Sequence, residues 1–427
     1  MPLKILVIGA GVCGPALALL LQRSSSPAKS HDITVVERFP TLRQSSLQID
    51  LRDQGIPIVR KFGLLDTIKQ RSVKETGFAL VDSAGRYRAV LGKNESGRGP
   101  QSFSSEYEIM RGDLVDVLYS ASLGEGRKQG GRGNGVRYEF GKSVSDLVQD
   151  DSGVDVTFSD GTSGRYDLVV GADGQASRTR RVLLGRDASD TSFKSLKLFI
   201  AYFTVSRAAD EDSLAKWYLA AGGRVAVTRS GESARTQVYL STLRSGPAAD
   251  SILGTLRQSA ERQKEAFAKV FRGAGWQVDR FVDEMMDCGD FYAQEIGQLK
   301  CETFAKGRVA LLGDAGYTPS PITGIGTTLS LTGAYVLAGE LARHGDDVEA
   351  ALQSYQTVLR PFIIEAQKLL PGVPDILYPK TAWGVWILTI IISVVSWLGI
   401  DKWANQLMPE NKGGLEIPEY PELNMES

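Results

Sequence analysis

Residues Leu3 to Arg38 read LKILVIGAGVCGPALALLLQRSSSPAKSHDITVVER. β-Branched and apolar residues from Ile5 to Ile8 stop at Gly9, and from Ala16 to Leu21 the apolar spacing becomes helical. The segment therefore predicts a strand, a tight turn and a helix. Gly9, Gly11 and Gly14 place GxGxxG on that turn. The first glycine lets the chain reverse, the second lets the backbone approach a pyrophosphate, and the third lets helix and strand pack closely. The start of the helix offers unpaired N–H groups to an anion. A second apolar strand, Ile33 to Val36, ends in Glu37, whose carboxylate can accept hydrogen bonds from ribose hydroxyls. Strand, glycine turn, helix and closing acid together point to an adenine dinucleotide.

Composition narrows the chemistry. The 427 residues allow two or three domains, and 42% hydrophobic with 23% charged residues is ordinary globular composition. A net charge of −1 gives no basis for nucleic-acid binding. The glycine-rich run Gly124 to Gly135 (GEGRKQGGRGNG) lacks interleaved aromatics and reads as a flexible connection rather than an RNA contact. Cys13, Cys288 and Cys301 are far apart, with neither a disulfide framework nor a zinc spacing, which suits a reducing compartment. The histidines, His31 and His344, read as structural or solvent-facing. A Ser-His-Asp triad and a metal site are not expected, so the hard chemistry falls to a cofactor. The N-terminal apolar run has no basic leader and no cleavage site, and no secretory signal is expected.

Downstream, Gly77 to Leu91 alternates around a Ser-Ala-Gly turn and predicts a hairpin, and Ile109 to Leu123 predicts an amphipathic helix. Short strands follow from Val136 to Val170, then Phe199–Val205, Arg224–Arg229 and Thr236–Leu243, with helices over Leu256–Phe271 and Val278–Met286. Two further motifs stand out. YDLVVGADGQASRTRR carries Asp173, Gly174, Ser177 and Arg180 in the spacing DGxxSxxR, and GRVALLGDAGYTPSPITGIG carries Gly313, Asp314, Pro319, Pro321, Gly324 and Gly326. Each puts an aspartate at the carboxyl end of a buried strand, where ligands of open α/β sheets bind.

These motifs in this order resemble the single-component flavin monooxygenases of the p-hydroxybenzoate hydroxylase type. The phrase LQIDLRDQGIPIVRKFGL before IMRGDL is similar to the tetracycline-inactivating and natural-product-tailoring branch. The resemblance runs from Leu3 to about Leu369. It implies an α/β fold: a Rossmann-like FAD-binding domain with an inserted β-sheet substrate domain and a C-terminal apolar helix. The expected division is 1–76, 101–185 and 297–370 for the FAD-binding domain, 77–100 for a hairpin of the substrate layer, 186–296 for the substrate domain and 371–427 for the C-terminal segment.

The resemblance also implies residue roles. Glu37 would hold the adenosine ribose beside the turn of Gly9, Gly11 and Gly14, and Arg111 would sit near the ribityl-pyrophosphate stretch. Asp314 would bond FAD hydroxyls at the middle of the cofactor, and Asp173 would serve both FAD and transient NADPH (or NADH). The loop of Gly324, Ile325, Gly326 and Thr327 would deliver backbone N–H groups to the flavin N1–C2=O edge. A helix beginning near Thr328 would aim its positive end at the charge of reduced flavin. The family often has GDAAH where this chain has Asp314-Ala315-Gly316-Tyr317, and often Asn where it has Thr328. The implied reaction is NAD(P)H-driven transfer of one oxygen atom from O2, through a flavin C4a-hydroperoxide, to an aromatic, polyketide or terpenoid molecule, with no side chain singled out as catalytic. A dehydrogenase or reductase of the same fold, and a non-catalytic dinucleotide-fold binding protein, are the alternatives.

Gln48, Asp50 and Arg52 read equally well as flavin or pocket contacts and as a surface strand. Tyr202, Trp217, Tyr218 and Tyr239 are candidate pocket aromatics within a sheet. Thr381 to Ile400 (TAWGVWILTIIISVVSWLGI) has no charge and would be about 30 Å long as a helix. Tryptophans near both ends favour membrane contact, whether spanning or lying on the surface, on the cytoplasmic side. The polar stripe of Thr389, Ser393 and Ser396 favours packing on the enzyme body or on a second subunit of a homo-oligomer.

Overall fold

The computed structural model describes residues 2–23, 31–43, 47–92, 107–128, 135–209, 211–230, 234–244, 246–398, 415–423 and 425. Residues 129–134 of the glycine-rich run and the last two residues of 381–400 lie outside them.

The chain opens with β1 (Lys4–Ile8), α1 (Cys13–Gln22) and β2 (Asp32–Glu37), then β3 (Gln48–Asp50), α2 (Gly55–Lys61) and α3 (Leu65–Gln70). The hairpin β4 (Gly77–Val81) and β5 (Tyr87–Gly92) follows, then β6 (Glu108–Met110), α4 (Arg111–Lys128) and β7 (Arg137–Phe140). A meander of β8 (Val144–Gln149), β9 (Val154–Phe158) and β10 (Ser163–Tyr166) leads to β11 (Leu168–Gly171), α5 (Arg178–Leu184) and α6 (Arg186–Ser192). Next come β12 (Phe193–Ser206), β13 (Leu214–Ala220), β14 (Arg224–Arg229), β15 (Arg235–Leu243), α7 (Pro247–Thr255), α8 (Ala260–Phe271), α9 (Val278–Asp287) and β16 (Tyr292–Leu299). The chain ends with β17 (Ala305–Lys306), β18 (Val309–Leu311), α10 (Gly326–His344), α11 (Val348–Ala366) and α12 (Ala382–Trp397).

One six-stranded sheet has the order β17-β18-β11-β1-β2-β7, parallel except for β17. Its strands are apolar because both faces are covered. On one side α1 packs against α4 and α10; α1 is buried along its whole length, as its all-round apolar sequence demands. Because β1, β11 and β18 run the same way, the three motif loops leave the sheet at one edge. His31, in the polar approach to β2, is buried and accepts a hydrogen bond from Leu3 N at Nδ1, 3.1 Å.

The other large sheet has the order β16-β12-β15-β14-β13-β4-β5. One face carries Phe199, Ala201, Phe203, Val238 and Leu240 against Phe267, Phe271, Phe281 and Met285 of α8 and α9. Helix α7 comes from a stretch where periodicity did not mark a helix, and α8 starts at Ala260 rather than at Leu256. The opposite face carries Leu198, Leu219, Val225, Val227 and Trp217, and packs on Ile322, Tyr378 and the inner side of α12.

After α12 the described tail returns to the first unit. Tyr420 is buried beside Gly339 of α10, where a Cβ would strike its ring, and Tyr420 Oη donates to Glu340 Oε1 at 2.6 Å. Lys61 bonds Glu419 at 2.7 Å.

Candidate active site

The three motif loops touch one another. Gly9 has φ +114°, and a Cβ there would collide with Ala172 O, so the turn after β1 lies directly against the loop after β11. Side chains rarely adopt that backbone conformation, and nothing larger fits. A Cβ on Gly313, after β18, would collide with Cys13 Sγ at the start of α1. Arg180 of the second motif donates to Ala315 O, next to Asp314, at 2.9 Å, and to Gln175 O at 2.8 Å. The motif arginine thus fastens two loops together.

Several candidate cofactor-binding groups surround this junction. Glu37 Oε2 accepts from Ala10 N at 2.8 Å, so the carboxylate that closes β2 hangs over the glycine turn. Helix α1 begins with no capping side chain and no acid in its first turn, which leaves its N–H groups to an anion. Arg111, at the start of α4, puts its guanidinium 3.2 Å from where a Cβ on Gly11 would stand. Asp314 is the exposed residue in an otherwise buried run from Val309 to Ser320. Solvent reaches it, while surrounding protein pushes its carboxyl pKa up and Arg111 and Thr318 pull it down. The Cys13 thiol, pushed up to about 12 by burial, is no nucleophile.

Asp173 has a different setting. Its Oδ1 accepts from Ser177 Oγ at 2.5 Å, and its Oδ2 accepts from Arg178 N at 2.8 Å and from Thr179 N and Oγ1 at 3.2 Å. The carboxylate holds the first turn of α5.

In the loop before α10 Gly324 adopts φ +68°, and α10 begins at Gly326, two residues before the expected start, again with no capping side chain and no acid in its first turn. Gly324, Gly326 and Thr327 are all half-buried. Thr328 accepts from Arg52 N at 3.1 Å and donates to Arg52 O at 2.7 Å, so it joins α10 to the chain after β3. Arg52 Nε bonds Asp50 Oδ2 at 2.9 Å.

Beyond this loop lies the second face of the large sheet. The strand registers place Tyr292, Tyr202, Tyr239, Val227 and Trp217 in one transverse row. Tyr218 is not among them. It points to the helix-covered face, donates to Ala274 O at 2.7 Å and packs on Trp276, so the expectation that it lines a pocket is corrected by strand alternation. Gln48 is buried, not on a surface strand: its N donates to Tyr239 Oη at 3.1 Å and its Nε2 to Glu108 Oε2 at 3.0 Å.

Two features had no signal in the sequence. Arg43 stacks on Tyr292, 4.8 Å from the ring centre, and joins the nucleotide side to the large sheet. Arg229 bonds Glu75 and Glu108, each at 2.6 Å, with both carboxylates almost fully buried. Burial pushes Glu108 up to about 7, Arg229 opposes, and Asp50 and Glu75 add to the rise. These partners meet only through the pairing of distant strands.

A family model described as FAD binding domain matches residues 2–368. The chain belongs to that family. It is an enzyme, an FAD-dependent monooxygenase. It is 43% identical to the FAD-dependent monooxygenase asL6 of Sarocladium schorii, with 100% of both chains covered, and 34% identical to the flavin-dependent monooxygenase eupH of a Phoma species, with 98% of both covered. Among solved structures it resembles the tetracycline destructase Tet(51), with a TM-score of 0.77, 27% identity, and 98% of this chain and 100% of that one covered.

The monooxygenase fits FAD. It offers two uncapped helix starts, a glycine turn with no room for side chains, an acid over that turn and a solvent-reached aspartate between them. Among the described residues no group of His, Cys, Asp or Glu could hold a metal ion. No helix of the described residues is long and apolar enough to cross a membrane. The 16-residue α12 replaces the expected spanning option for 381–400.

Proposed function

We propose that this monooxygenase consumes NADPH (or NADH) and inserts one atom of O2 into an apolar or aromatic small molecule of the polyketide or terpenoid kind, by hydroxylation, epoxidation or Baeyer–Villiger insertion. The observation that carries this reading is the sheet face of Tyr202, Tyr239, Val227, Val225 and Trp217 opposite Ile322, an apolar wall with few polar groups, next to the loop that ends at α10. Such a wall excludes water from the reacting centre. The likeness to a tetracycline destructase supports a fused-ring substrate.

In this reading Gly9, Gly11, Gly14 and the start of α1 receive the pyrophosphate. Glu37 accepts from the adenosine ribose, Arg111 neutralises charge beside the ribityl-pyrophosphate stretch, and Asp314 accepts from FAD hydroxyls. The N–H groups of Gly326 and Thr327 would serve the N1–C2=O edge, where the positive end of α10 favours negative charge by about 0.3–2 kcal/mol; the N–H of Gly324, which donates to Pro321 O at 3.1 Å, shapes the loop instead. Asp173 acts by fixing the loop after β11 rather than by direct contact. Bound FAD supplies the redox chemistry.

Product analysis by mass with isotopically labelled O2, across a panel of aromatic, polyketide and terpenoid compounds, tests the reading. One labelled oxygen in the product, with substrate-stimulated NADPH oxidation, is expected. A product without labelled oxygen would assign a dehydrogenase instead.

A further inference from the structure

Helix α12 turns a broad apolar face to water. Counting at 100° per residue, Trp383, Trp386, Ile387, Ile390, Ile391, Val394, Trp397 and Leu398 fall within an arc of about 140°, and all eight are exposed. Thr389, Ser393 and Ser396 lie on the opposite half. Ser396 Oγ donates to Val90 O of β5 at 3.0 Å, and Ser393 Oγ donates to Thr389 O at 2.8 Å. A surface helix ordinarily shows its polar stripe to solvent and its apolar stripe to the core. Here Ser396 bonds β5, the three hydroxyls keep to one flank beside the apolar inner side, and the outward face has no polar atom beyond the indole N–H groups.

We propose that this outward face docks α12 flat on a lipid bilayer surface, and that a second copy of the chain is not its cover. Three observations favour lipid. Trp383 is 72% exposed, Trp386 55% and Trp397 83%, and they stand at the two ends of the helix with aliphatic side chains between. Amphipathic indoles at both ends suit the headgroup boundary. No ionisable residue occurs from Thr381 to Leu398, so the face complements the uncharged zone just beneath the headgroups and not a polar protein surface.

The third observation is area. A stable dimer needs about 20–30 residues on each side, whereas this face is eight side chains on one convex rib. A rigid partner touches such a rib only along its crest; a fluid boundary wets the whole arc. The helix is too short to cross, so the contact is monotopic. The inner side of α12 presents Val385, Leu388 and Ile392 to the cluster that contains Trp217 and Val227, so one helix separates lipid from the apolar sheet face. The docking itself does not depend on the substrate proposed above.

The test is flotation of the full-length, FAD-loaded chain with phosphatidylcholine vesicles. Co-flotation that resists added salt, with quenching of tryptophan emission by spin-labelled lipid, is expected. The triple variant W383S/W386S/W397S should keep its flavin and lose vesicle binding by about tenfold or more. If it does not keep its flavin, I387N/I391N is judged by the same measure. Absence of vesicle binding or of lipid quenching overturns the proposal, as does binding that survives the substitutions. A vesicle-free dimer in light scattering that the same substitutions render monomeric also overturns it, by showing that a second copy covers the helix.

Discussion

Asp173 and Asp314 occupy matching places in the fold, each just past the carboxyl end of a parallel strand in a strong motif, and their surroundings are opposite. Four donors on Ser177, Arg178 and Thr179 occupy the oxygens of Asp173, whereas Asp314 is open to solvent near Arg111. A motif position marks where a loop leaves the sheet. Whether its acid serves the backbone or a ligand depends on which donors the next few residues supply. After Asp173 the chain turns at once into a helix start that needs an acceptor; after Asp314 Thr318 caps the loop by donating to the backbone carbonyl of Asp314, 3.1 Å.

The sharpest way to break this contrast is Asp314→Ala. Loss of a charge-assisted acceptor is worth about 1.5–3 kcal/mol, so FAD affinity measured by flavin fluorescence should fall roughly 10- to 150-fold. Unchanged flavin occupancy would remove Asp314 from the cofactor site. Asp173→Ala should do the reverse, with urea unfolding showing a loss of about 1–2 kcal/mol for the helix start and FAD affinity held within about threefold. A loss of flavin as deep as that of Asp314→Ala would make the two aspartates equivalent.

The smallest effect concerns a third carboxylate, Glu108, enclosed by partners and far from solvent. Its folded pKa, about 7, lies above the ordinary 4.5. Between those values the folded state keeps a proton that the unfolded chain has lost, so stability should fall as pH rises through the window and level off above it. Glu108→Gln should flatten that slope in unfolding curves taken across the window; an unaltered slope would place the proton elsewhere.

What the sequence made legible was local. The first strand, its glycine turn and α1 are contiguous, and the close approach of Gly9 to Ala172 follows from the demand for a residue without Cβ. The edge where the motifs meet was readable because parallel strands share a direction. The exchange of Tyr218 for Tyr292 on the pocket side was not readable, since a strand's alternation says that neighbours face opposite ways but not which way is inward. Arg229 finds Glu75 and Glu108 through pairing between remote segments, and no spacing announces it. For α12 the apolar content was evident, but the side turned to the protein was fixed by β5 and β13, which composition does not describe.

The returning tail gives the molecule a brace. Residues after α11 first lie across the large sheet as α12, then anchor Tyr420 in the slot beside Gly339 under the nucleotide unit. Shortening the chain before residue 415 would therefore empty an internal socket and leave the Glu340 carboxylate without the Tyr420 hydroxyl.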